Sequence, residues 1–176
     1  MQAAVDLFHQ YSYEAVTVAR IAQLAGVSTQ TVVLHFKTKE NLIEEAATWW
    51  APREEALRDV SDSGNGADPV EAARKISARY DRTGRAVLHV LAIEDSVPGV
   101  RRVLENGRAA HRAWVERTFG KHLGTGAARE RRIMQLVVAY DIYTWSILRR
   151  VLSPEDTILA MAELARGVLD SKGGKR

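Results

Sequence analysis

The chain has 176 residues, of which 46% are hydrophobic and 27% are charged, and its formal net charge at pH 7 is +3. This length accommodates one domain, or a small domain joined to a larger one, and the apolar fraction is sufficient for a sizeable core. The absence of cysteine excludes disulfides, thiolate metal sites and thiol-based redox sensing. Since there is no apolar run of membrane-spanning length and no secretory signal pattern at Met1, we expect a cytoplasmic protein.

Apolar spacing and capping residues predict an all-α chain that begins with three short helices, over residues 1–11, 17–25 and 28–36. Gly26 can adopt the left-handed backbone that ends the second helix, and Ser28 is a good N-cap for the third. Two short helices joined by such a turn form a helix-turn-helix, whose second helix enters the major groove of DNA. The third predicted helix is therefore the candidate reading helix.

The two sides of the predicted reading helix differ in composition. Val32 and Phe36 are four residues apart, so we expect both to face inward. The side chains left for the outer surface are those of Thr29, Gln30, Thr31, Val33 and His35.

Glycine and proline residues divide the rest of the chain into further helices, giving about nine in total. A fourth helix begins at Thr38, and we expect Pro52 to kink or end it. Residues 61–67 are predicted to form a loop, and residues 172–176 a frayed tail. The later helices are predicted at about residues 68–80, 86–95, 100–122, 129–152 and 153–169.

Four segments of the N-terminal region resemble the tetracycline-repressor (TetR) family, namely residues 3–8, 13–22, 25–28 and 35–43. The resemblance extends from Met1 to about Ala47. In that family three N-terminal helices bind DNA, and a larger helical domain binds an inducer and dimerises. The resemblance therefore implies a helix-turn-helix DNA-binding domain over residues 1–47 and a ligand-binding and dimerisation domain over residues 48–176.

The start of the reading helix supplies the candidate base contacts. Gln30 can form two hydrogen bonds to an adenine, and threonine methyl groups can contact thymine. By resemblance, Thr17 and His35 contact the DNA backbone, and Lys39 is the family's phosphate-binding lysine. The predicted DNA-binding residues are Thr17, Ser28, Thr29, Gln30, Thr31, Val33, His35 and Lys39.

This sequence departs from the family pattern in two respects that bear on DNA affinity. The pair Val33-Leu34 stands where the family often has aromatic residues, so phenolic phosphate contacts are replaced by apolar surface. Residues 1–48 contain three basic and five acidic side chains, a net charge of −2, which predicts weak non-specific binding with a shallow salt dependence. Family members usually begin with several further residues, often basic, so we expect part of the N-terminus to be missing from this sequence.

The candidate ligand pocket is drawn from polar and aromatic residues in apolar helical stretches. Packing in the core is the alternative for the histidines and tryptophans. Asp141 lies between two apolar neighbours and needs a partner, either a ligand or an arginine across the dimer seam. The predicted pocket residues are Trp49, His89, Glu94, His111, Trp114, Tyr140 and Asp141.

The last two predicted helices carry apolar stripes that are wider than one intramolecular seam needs. In the family these helices pack with those of a second subunit as a four-helix bundle, whereas the alternative is burial within one chain. A dimer also places two reading helices roughly 34–36 Å apart, one turn of DNA. The predicted dimer residues are Ile133, Val137, Tyr140, Thr144, Ile147, Ile158, Met161 and Ala165.

Together these features predict a ligand-responsive DNA-binding transcriptional regulator, a repressor released from a palindromic operator by a small apolar or amphipathic effector. The alternative is a helical ligand-binding or scaffold protein of the same fold that has lost specific DNA binding, as the acidic N-terminal region and Val33-Leu34 suggest. The expected partners are double-stranded DNA, a second copy of the chain and the effector. No nucleophile–base arrangement and no metal-ligand spacing are visible, so neither an enzyme nor a cofactor or metal is predicted.

Overall fold

The computed structural model describes residues 1–56 and 68–171, and for residues 51–56 and 122 it describes the backbone alone. Within these ranges the chain is helical and contains no strand, which confirms the all-α prediction. The predicted loop at residues 61–67 and the predicted tail at residues 172–176 lie outside the described residues. The helices are α1 (Gln2–Gln10), α2 (Val18–Ala25), α3 (Thr29–Phe36), α4 (Lys39–Ala56), α5 (Pro69–Leu91), α6 (Pro98–Phe119), α7 (Gly126–Ala139), α8 (Ile142–Arg149) and α9 (Pro154–Asp170), with a 3-10 turn at Gly120–His122.

The chain forms two compact units. The first comprises Met1–Ala56 and Thr83–Gly107, and the second comprises the described parts of Leu57–Arg82 and Arg108–Arg176. Each unit thus draws on two separate stretches of sequence, and α5 and α6 contribute residues to both. The boundary predicted at residue 47 falls inside α4, which continues to Ala56.

The first unit buries an apolar core between the three N-terminal helices, the first half of α4 and the chain from Ile93 to Leu104. Val16 and Val100 are completely buried there, and Leu42 of α4 is nearly so. Burial of one core side chain stabilises the folded state by about 1.5–3 kcal/mol. Helices α1 to α3 are too short to be stable in isolation, so these core contacts stabilise them.

The second unit has an aromatic core. The ring of Tyr140 lies 5.4 Å from the ring of Trp114 and 5.5 Å from that of Phe119, and all three side chains are buried. The Tyr140 hydroxyl donates to the Pro69 carbonyl at 3.1 Å, and the Tyr80 hydroxyl donates to the Tyr140 carbonyl at 3.0 Å. The cluster therefore combines close aromatic packing with satisfied polar groups.

Two helices predicted at residues 68–80 and 86–95 are one continuous helix, α5, so the predicted break was wrong. Gly84 lies in the predicted break, and glycine inside a helix costs about 1 kcal/mol relative to alanine. However, Thr83 and Ala86 on either side of it are buried. Burial of these neighbours outweighs the local preference of one glycine.

The single helix predicted at residues 129–152 is instead two helices, α7 and α8, separated at Tyr140 and Asp141. The Asp141 carboxylate accepts a hydrogen bond from the Tyr143 amide at 2.8 Å and so caps α8. The Thr144 hydroxyl donates to the Val138 carbonyl at 2.6 Å, near the end of α7. Short polar side chains compete in this way with the helical hydrogen bonds of the backbone, and here they replace them.

Candidate nucleic-acid interface

The two helices of the predicted helix-turn-helix, α2 and α3, are both capped by side chains. The Thr17 hydroxyl accepts from the Arg20 amide at 3.1 Å, and the Ser28 hydroxyl accepts from the Thr31 amide at 3.0 Å. Gly26 ends α2 with a φ of +69°, which side-chain-bearing residues rarely adopt. The turn predicted from the sequence is therefore present, with each polar residue in the role its chemistry favours.

The two sides of α3 separate as expected. Val32 is buried and Phe36 is partly buried against the core of the first unit. The outward residues Thr29, Gln30, Thr31 and His35 are exposed, and so is Val33. The exposed side of the helix therefore presents amide, hydroxyl and methyl groups, which can contact base edges in a major groove, and the imidazole of His35.

The connection from α3 to α4 is a three-residue turn around Lys37. The Thr38 amide donates to the Phe36 carbonyl at 2.7 Å, and Lys37 between them has a φ of +64° and a ψ of −54°. This is a strained conformation for a residue with a side chain. The Thr38 hydroxyl then accepts from the Asn41 amide at 3.1 Å and caps α4.

Lys39, the first residue of α4, contacts Tyr13 in the segment that precedes α2. Its ammonium group donates to the Tyr13 carbonyl and lies 3.9 Å from the centre of the Tyr13 ring. Burial lowers the pKa of Lys39, partly offset by the nearby carboxylates of Glu14 and Glu40. The Tyr13 hydroxyl donates to the Glu40 carboxylate at 3.0 Å, and burial, with this hydrogen bond second, raises the pKa of Tyr13.

The same unit contains a second contact between a cation and a tyrosine. The Arg20 guanidinium lies 3.8 Å from the centre of the Tyr11 ring, which joins the first turn of α2 to the end of α1. Sequence reasoning missed this contact and the one between Lys39 and Tyr13. Tyr13 and Lys39 are 26 residues apart, and no sequence periodicity relates residues at that separation in two different elements.

A cavity of about 470 Å³ lies in the first unit, and nothing in the sequence indicated it. It is lined mainly by apolar side chains of α1, α2 and α3, together with Leu42 of α4. Two predicted DNA contacts, Thr31 and His35, also line it.

The residues predicted to line a ligand pocket are divided between the two units. Trp49, His89 and Glu94 belong to the first unit. His111, Trp114, Tyr140 and Asp141 belong to the second, where the His111 ring stacks on Trp114 at 5.7 Å and Asp141 caps α8. The structure thus brings together His111, Trp114 and Tyr140, and it shows them packed in a core.

Most of the residues predicted to form the dimer interface are instead buried in the core of the single chain. The buried ones are Ile133, Tyr140, Ile158, Met161 and Ala165. Val137 and Thr144 are partly buried, and Ile147 is exposed over 62% of its surface. A side chain without exposed surface has no area to offer a second subunit, so a dimer would have to use the neighbours of these residues.

Several large apolar side chains near the end of the chain are exposed, and three follow one another at intervals of four residues. Tyr143 and Ile147 of α8 and Val151 just beyond it are exposed over 52%, 62% and 83% of their surfaces. Side chains four apart lie on one side of a helix. We call these three residues the α8 apolar stripe.

Among the described residues, no helix is both long enough and apolar enough to span a bilayer. The same residues contain no group of three or more histidine or acidic side chains that could hold a metal ion.

Residues 1–46 match the family of bacterial regulatory proteins known as the tetR family. A comparison with curated protein sequences finds no match. Among solved structures, a protein of Mesorhizobium loti MAFF303099 described as a TetR-family transcriptional regulator is 19% identical, with a TM-score of 0.68 over 96% of this chain and 92% of that one.

Two further solved structures have the same fold over nearly the whole chain. One, described as a transcriptional regulator of Pseudomonas aeruginosa PAO1, is 17% identical, with a TM-score of 0.73 over 97% of this chain and 88% of that one. Another, a transcriptional regulator of Rhodococcus sp. Rha1, is 21% identical, with a TM-score of 0.68 over 96% and 92%. Residues 1–46 thus match the N-terminal domain of the tetR family of bacterial regulatory proteins, and the chain shares the fold of these three solved structures.

Proposed function

We propose that this protein is a ligand-responsive transcriptional repressor, which binds a palindromic operator as a dimer and leaves it when a small apolar or amphipathic effector binds. The observation that carries the proposal is the exposed surface of α3, whose polar side chains project from a capped helix-turn-helix. A major groove admits an α-helix, and the exposed side chains of α3 supply donor and acceptor groups for base edges.

The assignment of DNA contacts follows from their positions. Gln30 and Thr29 lie in the first turn of α3, the part of a recognition helix that reaches base edges. Thr17, Ser28 and Lys39 lie at the beginnings of helices, where backbone amides and the helix dipole favour a phosphate. Val33 is exposed over 47% of its surface and offers an apolar contact to a thymine methyl group.

The α8 apolar stripe supports the dimer. Exposed apolar side chains that follow one face of a helix mark a protein–protein contact more often than scattered ones do. Met134 and Val138 of α7, also four residues apart, and Leu164 of α9 are exposed as well. We therefore place the interface on the exposed residues of α7, α8 and α9 instead of on their buried neighbours.

The effector response needs only a modest free-energy difference. A tenfold loss of operator affinity follows if the effector prefers the non-binding conformation by about 1.4 kcal/mol. Among the described residues, the Nδ1 atom of His89 is buried and has no hydrogen-bond partner, which makes it a candidate for a hydrogen bond to the effector.

The experiment is a salt titration of binding to the DNA upstream of the gene, with scrambled DNA of equal length as the control. The proposal predicts a complex on the upstream DNA that persists at salt concentrations where the scrambled DNA is released. Equal binding to both DNAs, or no binding even at low salt, would favour a ligand-binding or scaffold protein that has lost its operator. Leu34, exposed over 75% of its surface beside Val33, and the net charge of −2 over residues 1–48 favour that alternative.

A further inference from the structure

We infer that Tyr13 is a positioning residue for DNA binding, which holds the ammonium group of Lys39 in place for contact with a phosphate. The inference rests on the proposed function, since it assigns a role to a residue that itself need not touch DNA. Tyr13 lies outside both helices of the helix-turn-helix, in the segment between α1 and α2.

Two different parts of Tyr13 contact the same cation. Its carbonyl oxygen accepts a hydrogen bond from the Lys39 ammonium, and the centre of its ring lies 3.9 Å from the Lys39 nitrogen. The carbonyl dipole and the negative face of the ring both attract a positive charge. The end of a lysine side chain, which usually moves freely in solvent, is therefore held at one place.

The position of Tyr13 is itself fixed on several sides. The side chain is buried, and its ring stacks on Phe8 of α1 with 6.2 Å between the ring centres. Its hydroxyl donates to the Glu40 carboxylate at 3.0 Å, which ties the outer edge of the ring to the first turn of α4. Tyr13 is thus anchored both to the core and to the helix that begins with Lys39.

The ammonium group of Lys39 can still donate hydrogen bonds to an anion while it contacts Tyr13. An ammonium group has three N–H donors, and the Tyr13 carbonyl takes one of them. Lys39 is only partly buried, and it is the first residue of α4, where the helix dipole also attracts negative charge. A side chain already ordered before binding loses less conformational freedom when it meets a phosphate. Tyr13 therefore strengthens a contact that Lys39 makes.

A double-mutant cycle tests this role without knowledge of the operator. Wild type, Tyr13→Leu, Lys39→Met and the double variant are titrated with a fluorescein-labelled random-sequence duplex over a series of salt concentrations. We expect Lys39→Met to reduce the slope of log affinity against log salt by about 0.9, the value for one phosphate. Tyr13→Leu should weaken binding about two- to fivefold when Lys39 is present, and should have no effect in the Lys39→Met background.

Tyr11→Leu is the matched control, because the Tyr11 ring contacts a different cation, the guanidinium of Arg20. Its effect should be the same with and without Lys39. Since Tyr13→Leu removes a buried ring, a second series replaces Tyr13 by fluorinated phenylalanines, which keep the ring size and weaken its attraction for a cation. Affinity should fall stepwise along this series in the wild-type background and stay constant when Lys39 is methionine.

The outcomes separate this inference from the proposed function. If wild type binds neither this duplex nor the DNA upstream of the gene, even at low salt, the proposed function fails. If wild type binds, and Tyr13→Leu weakens DNA binding equally with Lys39 and with Lys39→Met, Tyr13 has only a structural role and the inference is wrong. If Tyr13→Leu strengthens binding, the ring withholds Lys39 from DNA, and the inference is again overturned.

Discussion

Gln30 is an exposed residue in the first turn of α3, and its amide can donate to and accept from a single adenine. We expect Gln30→Ala to weaken binding to a specific site by about 1–3 kcal/mol, and to leave non-specific binding nearly unchanged. Competition titrations against a site selected by wild type from a random-sequence library will measure both quantities.

Gln23→Ala makes the same side-chain change on an exposed position of α2 and serves as the control for Gln30. It should leave the preference for the selected site intact. An equal loss of affinity on the selected and on unrelated DNA after Gln30→Ala would contradict a base-reading role.

Glu40, in the first turn of α4, makes the stability of the fold depend on pH. Its backbone hydrogen bond, followed by that from the Tyr13 hydroxyl, lowers the pKa of this carboxyl below its ordinary value of 4.5. A depressed pKa in the folded state stabilises the fold above the unfolded value, and this stabilisation is lost as the pH falls through the folded value. Because the group is partly exposed, we expect a contribution of at most about 1 kcal/mol.

Urea unfolding at a series of pH values will check the role of Glu40. Glu40→Gln should be less stable than wild type at neutral pH, and the difference should shrink as the pH falls below 4.5. Glu45→Gln, at an exposed position of the same helix, is the control. A difference between wild type and Glu40→Gln that stays constant with pH would mean that the carboxylate charge is not what matters.

At the scale of elements, the α3–α4 connection depends on one unfavourable backbone conformation. Lys37 has a φ of +64°, which costs a residue with a side chain about 1–3 kcal/mol. The turn persists because Phe36 packs into the core before it and Thr38 caps α4 after it. The beginning of α4, and with it Lys39, is placed by this turn.

Two substitutions of Lys37 separate its charge from its backbone. Both Lys37→Gly and Lys37→Ala remove the charge, but only glycine adopts a positive φ without strain. We expect the glycine variant to be more stable than the alanine variant by about 1 kcal/mol in chemical denaturation. Equal stabilities would show that the turn relaxes to another conformation when the lysine is removed.

The predicted helix boundaries agree with the structure between α2 and α3, where a glycine turn and a capping residue set the boundary. Gly26 and Ser28 ended α2 and began α3 as their chemistry indicates. Gly84, in contrast, does not interrupt α5, because burial of its neighbours stabilises the helix by more than the glycine destabilises it. The break between α7 and α8 was missed, since Asp141 sits in an apolar pattern that continues on both sides of it.

For the whole molecule, the α8 apolar stripe is the surface on which the proposed dimer depends. Ile147 is exposed over 62% of its surface, so a charge there costs little in a monomer and much in an apolar interface. We expect Ile147→Glu to weaken dimerisation by more than about tenfold, and operator binding with it. Light scattering coupled to size-exclusion chromatography, over a range of concentrations, measures the first effect.

Leu24→Glu introduces the same charge at an exposed apolar residue of α2 and should leave the oligomeric state unchanged. A dimer of unaltered strength in the Ile147→Glu variant would place the interface elsewhere. Ile133 is unsuitable for such a test, because it is fully buried and its substitution would unfold the monomer.

The sequence by itself determined the helical class, the helix-turn-helix and the outward side of α3, because each depends on residues within a few positions of one another. Only the tertiary structure decided which apolar residues are buried and which are left exposed. The stripes on the last helices contain both kinds, and their spacing does not distinguish Met161 from Ile147. The contact between Tyr13 and Lys39 was also decided by the fold, since packing across 26 residues of sequence brings the two together.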